Sequence, residues 1–291
     1  MNEHLAGYNE KIEAREAAYW FPELTHVDAD TAAIISVALQ AARSAALVHQ
    51  EHFLGRHAVS LKELNDIVTN VDLKAETTIR SLIATAFPQH AFASEESQPG
   101  SGTESYYRWV IDPLDGTVNY TAGIPFYSAS VAAQRKGQTL VGVVHSSALD
   151  QVYVGVLGHG AYCNGVRLHV SDRSAINESV VSFMLTSHYT NEQHDDLLAR
   201  VRSLSPRTRG VRLYVSQALE LAYIAAGRLD GHVCIKSRGF SGAAGVLILR
   251  EAGGCATDLQ GNPFSNESRS IVASNTHLHT AIIDVVRTSN A

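Results

Sequence analysis

WVIDPLDGTVNY, residues 109–120, carries an apolar run straight into two aspartates, Asp112 and Asp115, and then into Gly116-Thr117. Trp109–Ile111 reads as a buried strand, which leaves both carboxylates at its inner end, where an unpaired charge is costly. Something positive must stand beside them. Gly116 permits close backbone approach, and the N–H groups of a following helical turn would face an anion, with Thr117 Oγ1 able to orient a water.

More acids occupy similar places. The run Ala91–Ser94 ends at Glu95 and Glu96 in "ASEES", and "DIVTNVD" ends at Asp72. Taken by themselves, Asp112 and Asp115 also read as a D-P turn with an aspartate cap, and Glu95 and Glu96, Glu96 above all, as solvated loop acids. Five acids at the ends of apolar segments do not read as one solvated face. If they converge, hard oxygen donors of this kind select Mg2+ or Mn2+ over zinc, and such an ion keeps waters and meets phosphate. A metal beside an anion site means phosphate chemistry.

The chain has 291 residues, 45% hydrophobic and 18% charged, enough for a large core in one layered domain or two lobes sharing an interface. Its net charge of -6, without a Lys/Arg-rich run, gives little support to binding nucleic acid or an anionic membrane. Three cysteines without CxxC spacing suggest neither a disulfide framework nor a thiolate zinc site, so a reducing cytoplasm is the expected compartment. The first twenty residues are charged throughout and no segment reaches 18 uninterrupted apolar residues, so neither export nor a membrane span is expected.

Apolar spacing predicts two early helices, from Ala32 to about Phe53 and from Asp72, as N-cap, to about Phe87. Strands follow at Ala91–Ser94, Trp109–Ile111, Ser128–Ala133, Thr139–His145 and Gln151–Val156, with turns at "RKGQ", "ALDQ" and "HGAYCNGV", a mainly antiparallel sheet. Beyond a polar stretch at Ser171–Glu178 the pattern alternates. Strands are predicted at Ser179–Leu185, Arg212–Val215, Gly231–Ile235 and Ser270–Ser274, and helices at Glu192–Ser203, Ser216–Arg228, Gly242–Ala252 and from Thr276 onward. "EAGG", Glu251 to Gly254, reads as a helix end with a left-handed cap. That divides the chain into an α+β half, 1–174, holding the metal and phosphate residues, and an α/β half, 175–291, completing the pocket of one compact unit. No repeat or low-complexity segment suggests a solenoid or propeller.

"IDPLDGTVNY", with "DIVTNVD" and "ASEES" upstream and "GAAGVLILREAGG" downstream, resembles the inositol monophosphatase family of lithium-sensitive, magnesium-dependent phosphatases over roughly Ala32 to Ile283. The resemblance implies an α/β fold, the alternating α-β-α-β-α sandwich shared with fructose-1,6-bisphosphatase. It also implies a homodimer, a small phosphorylated metabolite as substrate, and Mg2+ at two or three sites. By the same resemblance Glu95, Asp112 and the Leu114 carbonyl bind the first metal, and Asp112 bridges to a second held by Asp115. Thr117 and Glu95 position the attacking water, the amides of Gly116 and Thr117 hold phosphate, and Asp72 and Glu96 stand close behind. Lys62 and Asp66 fall in a mobile loop that closes over the metals.

The chain departs from the family's second signature, W-D-x-A-A-G, by reading "FSGAAG", with Phe240 for the tryptophan and Ser241 for the metal-binding aspartate. Serine keeps a helix N-cap, but the second metal loses a carboxylate and is weakened. Cys234 stands where inositol-binding members tend to carry an acid, Lys236 and Arg238 add cations, and "VSQA", Val215 to Ala218, is bulkier than its counterpart. Ser216, Gln217, Cys234, Lys236, Arg238 and Ser241 therefore count as substrate-facing, in a pocket that suits free inositol poorly. His145 and His188 read as structural or surface histidines, and Cys234 has no identifiable histidine to make it a nucleophile. Three functions follow: a Mg2+-dependent phosphomonoesterase acting on a polyol, cyclitol or sugar phosphate; a silent member that binds a phosphorylated metabolite or regulates a partner; and a repurposed enzyme performing another reaction.

Overall fold

The computed structural model describes residues 27–55, 57–63, 66–96, 105–237, 239–265 and 267–287. The first long helix, α1 (Ala29–His52), starts one turn before the predicted position because Asp28 caps it, accepting from Thr31 N at 2.9 Å. Its buried stripe is mostly alanine, with Ile34, Ile35 and Val48, which lets it lie close to the sheet beneath. α1 is long and apolar enough to cross a membrane by length and composition, yet that stripe is spent on the protein's own core.

A hairpin, β1 (Val59–Glu63) with β2 (Asp66–Thr69), leads into α2 (Asn70–Ala86). The N-cap of α2 is Thr69, not Asp72. Asp72 is the reciprocal partner three residues on, whose carboxylate accepts from Thr69 N while Thr69 Oγ1 accepts from Val71 N.

The next strands are β3 (Ala91–Ser94), β4 (Tyr107–Asp115), β5 (Ser128–Arg135), β6 (Gln138–Ser146), β7 (Gln151–Val156), β8 (Gly160–Cys163) and β9 (Val166–Arg167), with the short helix α3 (Thr117–Thr121) between β4 and β5. They form one seven-stranded sheet in chain order, antiparallel except for the parallel β3–β4 pair. "HGAYCNGV" is more than a turn. It holds β8 between turns made by Gly158 and by Asn164-Gly165, all at positive φ.

The second sheet comprises β10 (Val180–Phe183), β11 (Gly210–Arg212), β12 (Gly231–Cys234), β13 (Gly254–Thr257) and β14 (Ile271–Asn275), ordered β11-β10-β12-β14-β13. Its helices are α4 (Asn191–Leu204), α5 (Gln217–Ala225), α6 (Phe240–Glu251) and α7 (His279–Arg287). The polar Ser171–Glu178 segment is pinned to this sheet by Asp230, which accepts from Ser171 Oγ, Arg173 and Val180 N.

The layers run α1/α2, seven-stranded sheet, α5/α6, five-stranded sheet, α4/α7, as the alternating sandwich requires. Ala218, Ala222, Ala244 and Ile248 of the central helices meet Val110, Ala132 and Val144 on one side. On the other, Leu221, Ile224 and Leu249 meet Ile271 and Ala273. α6 lies directly on β6, and a Cβ at Gly142 would stand 2.8 Å from Ala244 O. Gly142→Ala is therefore expected to lower stability by about 1–3 kcal/mol, measured as a lower urea midpoint at unchanged slope.

Candidate active site

β4 is a regular strand only as far as Asp112. Successive strand side chains point to opposite faces, so residues three apart would diverge. Pairing with β5 slips between Asp112↔Ser130 and Asp115↔Ser128, inserting one extra residue at Pro113-Leu114. Proline has no N–H to give the ladder, which suits it to such a bulge. The inserted residue turns Asp115 back toward the side of Asp112, and both line one cavity of about 240 Å3 with Glu95, Leu114, Gly116 and Thr117.

The bulge is clamped by a residue that the motif does not contain. His49, fully buried on α1, holds Pro113 O at 2.9 Å through Nε2 and accepts Tyr120 OH on its own carbonyl at 2.7 Å. Burial pushes the imidazole down to about 3, so it is a neutral N–H donor. Its position, four residues after Ala45 on the buried stripe of α1, was a readable signal. Asn119 adds a second tie, donating to Phe126 O at 2.8 Å and Tyr214 O at 2.6 Å.

Gly116 sits at φ +93 and starts α3; a Cβ there would lie 3.0 Å from Phe126 O. Thr117 Oγ1 lies 3.0 Å from Asp72 Oδ1 and 2.9 Å from Leu114 O, and its single hydrogen serves one of them. Asp72 and Thr117, read as neighbours in function, are thus neighbours in space.

The carboxylates differ in their satisfaction. Asp115 sits at the N-terminus of α5, accepting from Ser216 Oγ at 2.6 Å, Gln217 N at 3.1 Å and Ala218 N at 2.8 Å. Burial still outweighs these bonds and pushes its carboxyl up to about 6. Asp112 accepts from Ser241 Oγ at 2.5 Å on Oδ2, while its Oδ1 is buried with no donor. Burial, then the charges of Glu95 and Asp115, hold its carboxyl well above the usual range.

Among the described residues no three Asp, Glu, His or Cys side chains already converge as a metal cage. The donor chemistry nevertheless fits a hard cation. Mg2+ typically takes one or two protein carboxylates and keeps several waters, and Glu95 with the orphaned Asp112 Oδ1 supplies that much.

Two readings at Ser241 and Ser216 change. α6 begins at Phe240 with Gly239 in the capping position, so Ser241 lies inside the first turn and its hydroxyl serves Asp112 rather than the helix. Ser216 does not line the cavity; it is buried behind Asp115. Gln217, Cys234, Lys236 and Ser241 do line it. Cys234 is buried, and desolvation pushes its thiol up to about 12, an inert group at neutral pH. His188, read from sequence as structural or surface, lines the cavity with Thr186 and Ser187. Lys62 and Asp66 have backbones in the β1–β2 hairpin, where a loop was anticipated, and their side chains lie outside the described residues, as does Arg238. Glu96, half-buried, does not line the cavity.

A five-layered α/β sandwich with a carboxylate-lined cavity between its sheets defines a narrow structural class. Residues 30–291 match the inositol monophosphatase family, and the chain belongs to that family. It is 39% identical over 229 residues to the inositol-1-monophosphatase of Rhizobium meliloti (strain 1021), covering 79% of this chain and 86% of the relative. It is 35% identical to the Nus factor SuhB of Escherichia coli (strain K12), covering 87% and 96%. Among solved structures, the extragenic suppressor protein suhB from Bartonella henselae superposes with a TM-score of 0.84 at 33% identity, over 88% of this chain and 99% of that one. The Thermotoga maritima IMPase gives 0.80 at 32%, over 87% and 96%.

Proposed function

We propose that this protein is a cytoplasmic Mg2+-dependent phosphomonoesterase acting on a small polyol, cyclitol or sugar phosphate, its halves 1–174 and 175–291 working as one unit within a homodimer. The observation that carries this reading is the bulge at Pro113, which turns Asp112 and Asp115 into one cavity and leaves Asp112 Oδ1 buried without a donor. Glu95, Asp112 and the Leu114 carbonyl would hold the ion, with Asp115 beside them. When bound, Mg2+ supplies charge for the developing phosphoryl oxygens and acidifies water. With the Thr117 hydrogen on Asp72, a Thr117 Oγ1 lone pair would be left to orient a water in the cavity and the Leu114 carbonyl would be left for the ion. Glu95 stands on the cavity wall to take that water's proton, and Gly116 and Thr117 line the same cavity, where their amides would hold phosphate.

A second reading rests on Ser241. Its hydroxyl donates to Asp112 Oδ2, and relatives named Nus factor SuhB match about as well as those named phosphatases. A weakened second metal would accompany a binding role or another reaction.

One set of measurements separates these readings: Mg2+-dependent thermal shift and phosphate release for wild type and Ser241→Asp. Burial pushes the Asp115 carboxyl up to about 6 and holds that of Asp112 well above the usual range, so protons compete with Mg2+ as pH falls. The Mg2+-induced rise in Tm is expected to grow as pH rises and to fade as pH drops through 6. Phosphate release by wild type supports the phosphatase; silence in wild type with release by Ser241→Asp supports the second reading.

A further inference from the structure

The cavity has a second wall with different chemistry. β10 and β12 lie side by side and parallel, with Phe183 opposite Val233. The chain leaves them in opposite directions: β10 leads to α4 in the outer layer, where α4 packs with α7, and β12 leads to α6 in the central layer. Neighbouring parallel strands whose exits diverge open a crevice beyond their carboxyl ends, the usual ligand position in open α/β sheets. Here that crevice is walled by Met184–His188 after β10 and by Cys234 and Lys236 at the end of β12, and it opens into the carboxylate cavity.

The charges that line the cavity divide between the walls, with Glu220 of α5 buried behind Asp115 and Cys234. The acids that line the cavity, Glu95, Asp112 and Asp115, all come from the first half of the chain. Among the described lining residues the second half contributes no acid, but Lys236, His188, Thr186 and Ser187. Cys234, between them, is a buried neutral thiol and offsets none of the lysine's charge. Lys236 is exposed, so its ammonium keeps its water until a ligand arrives. Gln217 keeps its amide on Ser237 Oγ at 3.3 Å, bracing the strand exit from below.

Resting on the phosphatase reading, we propose that this wall is a subsite for a second anionic group on the substrate, a carboxylate or another phosphate, with Lys236 as its charge partner and Thr186, Ser187 and His188 as its polar contacts. The substrate class is then a doubly anionic small phosphate ester rather than a neutral polyol monophosphate.

Three probes of similar reach test this: propyl phosphate, the phosphate ester of 3-hydroxypropanoate, and propane-1,3-diol bisphosphate. Each is titrated with Mg2+ into wild type, Lys236→Met and Lys236→Glu by thermal shift, with phosphate release followed in parallel. The expected result is about tenfold tighter apparent binding of the two anion-tailed probes than of propyl phosphate, narrowing as salt rises. Lys236→Met brings the three together and Lys236→Glu reverses the order; the tighter of the two tailed probes names the group. Equal binding of all three by wild type, or a preference that persists in Lys236→Met, overturns the subsite. Release from propyl phosphate without a preference defeats the subsite and leaves the phosphatase standing. A preference without release from any probe does the opposite.

Discussion

Asp112→Asn is expected to reduce Mg2+-dependent phosphate release by at least about a thousandfold, roughly 4 kcal/mol of transition-state stabilisation, and at the same time to raise the Tm of the metal-free protein. The two effects share one cause. The Asp112 carboxylate is buried beside Glu95 and Asp115, with one oxygen facing no donor, and its carboxyl is held above the usual range. An acid whose folded pKa is raised costs stability at every pH above its unfolded value of 3.8, increasingly so until pH passes the folded value, because the unfolded chain ionises freely and the fold resists. Asparagine removes the charge, keeps the shape, and can still accept from Ser241. It cannot serve as an anionic ligand. A loss of activity accompanied by a lower Tm would mean ordinary misfolding, and unchanged activity would remove Asp112 from the chemistry.

Gly116→Ala is expected to cost about 2–3 kcal/mol and, in the surviving folded fraction, about a hundredfold in turnover. The backbone at φ +93 is unfavourable for any residue with a Cβ, and that atom would lie 3.0 Å from Phe126 O and 3.3 Å from Ser216 Cβ. Ser216 cannot retreat without moving its hydroxyl off Asp115. Strain at the turn therefore travels to a carboxylate on the cavity wall. Urea unfolding with kcat and KM at saturating Mg2+ separates the parts; stability loss with unchanged turnover would show that the turn is scaffold only.

Other features here mark what a chain can and cannot announce. The strand, the D-P-L-D-G-T turn and the acids of "ASEES" and "DIVTNVD" were legible because each is local: apolar runs, turn residues and their order. β8 was hidden because the glycine-rich turns that bound it dominate the local pattern. The cap of α2 was misplaced by three residues because threonine and aspartate share the capping box, and only the bond directions say which is first. His188 looked ordinary until the exit of β10 placed it on the cavity.

By itself the sequence determined the layered α/β class, the helix stripes and the carboxylates that come to line the cavity, because periodicity and residue chemistry are written along the chain. Only the tertiary structure decided what those donors face. The bulge that returns Asp115 to the side of Asp112 depends on pairing with β5 and on His49 of α1. The role of Ser241 depends on a partner 129 residues away. Which lone pairs remain for a cation is a matter of distance and angle between elements, and no spacing along the chain carries that.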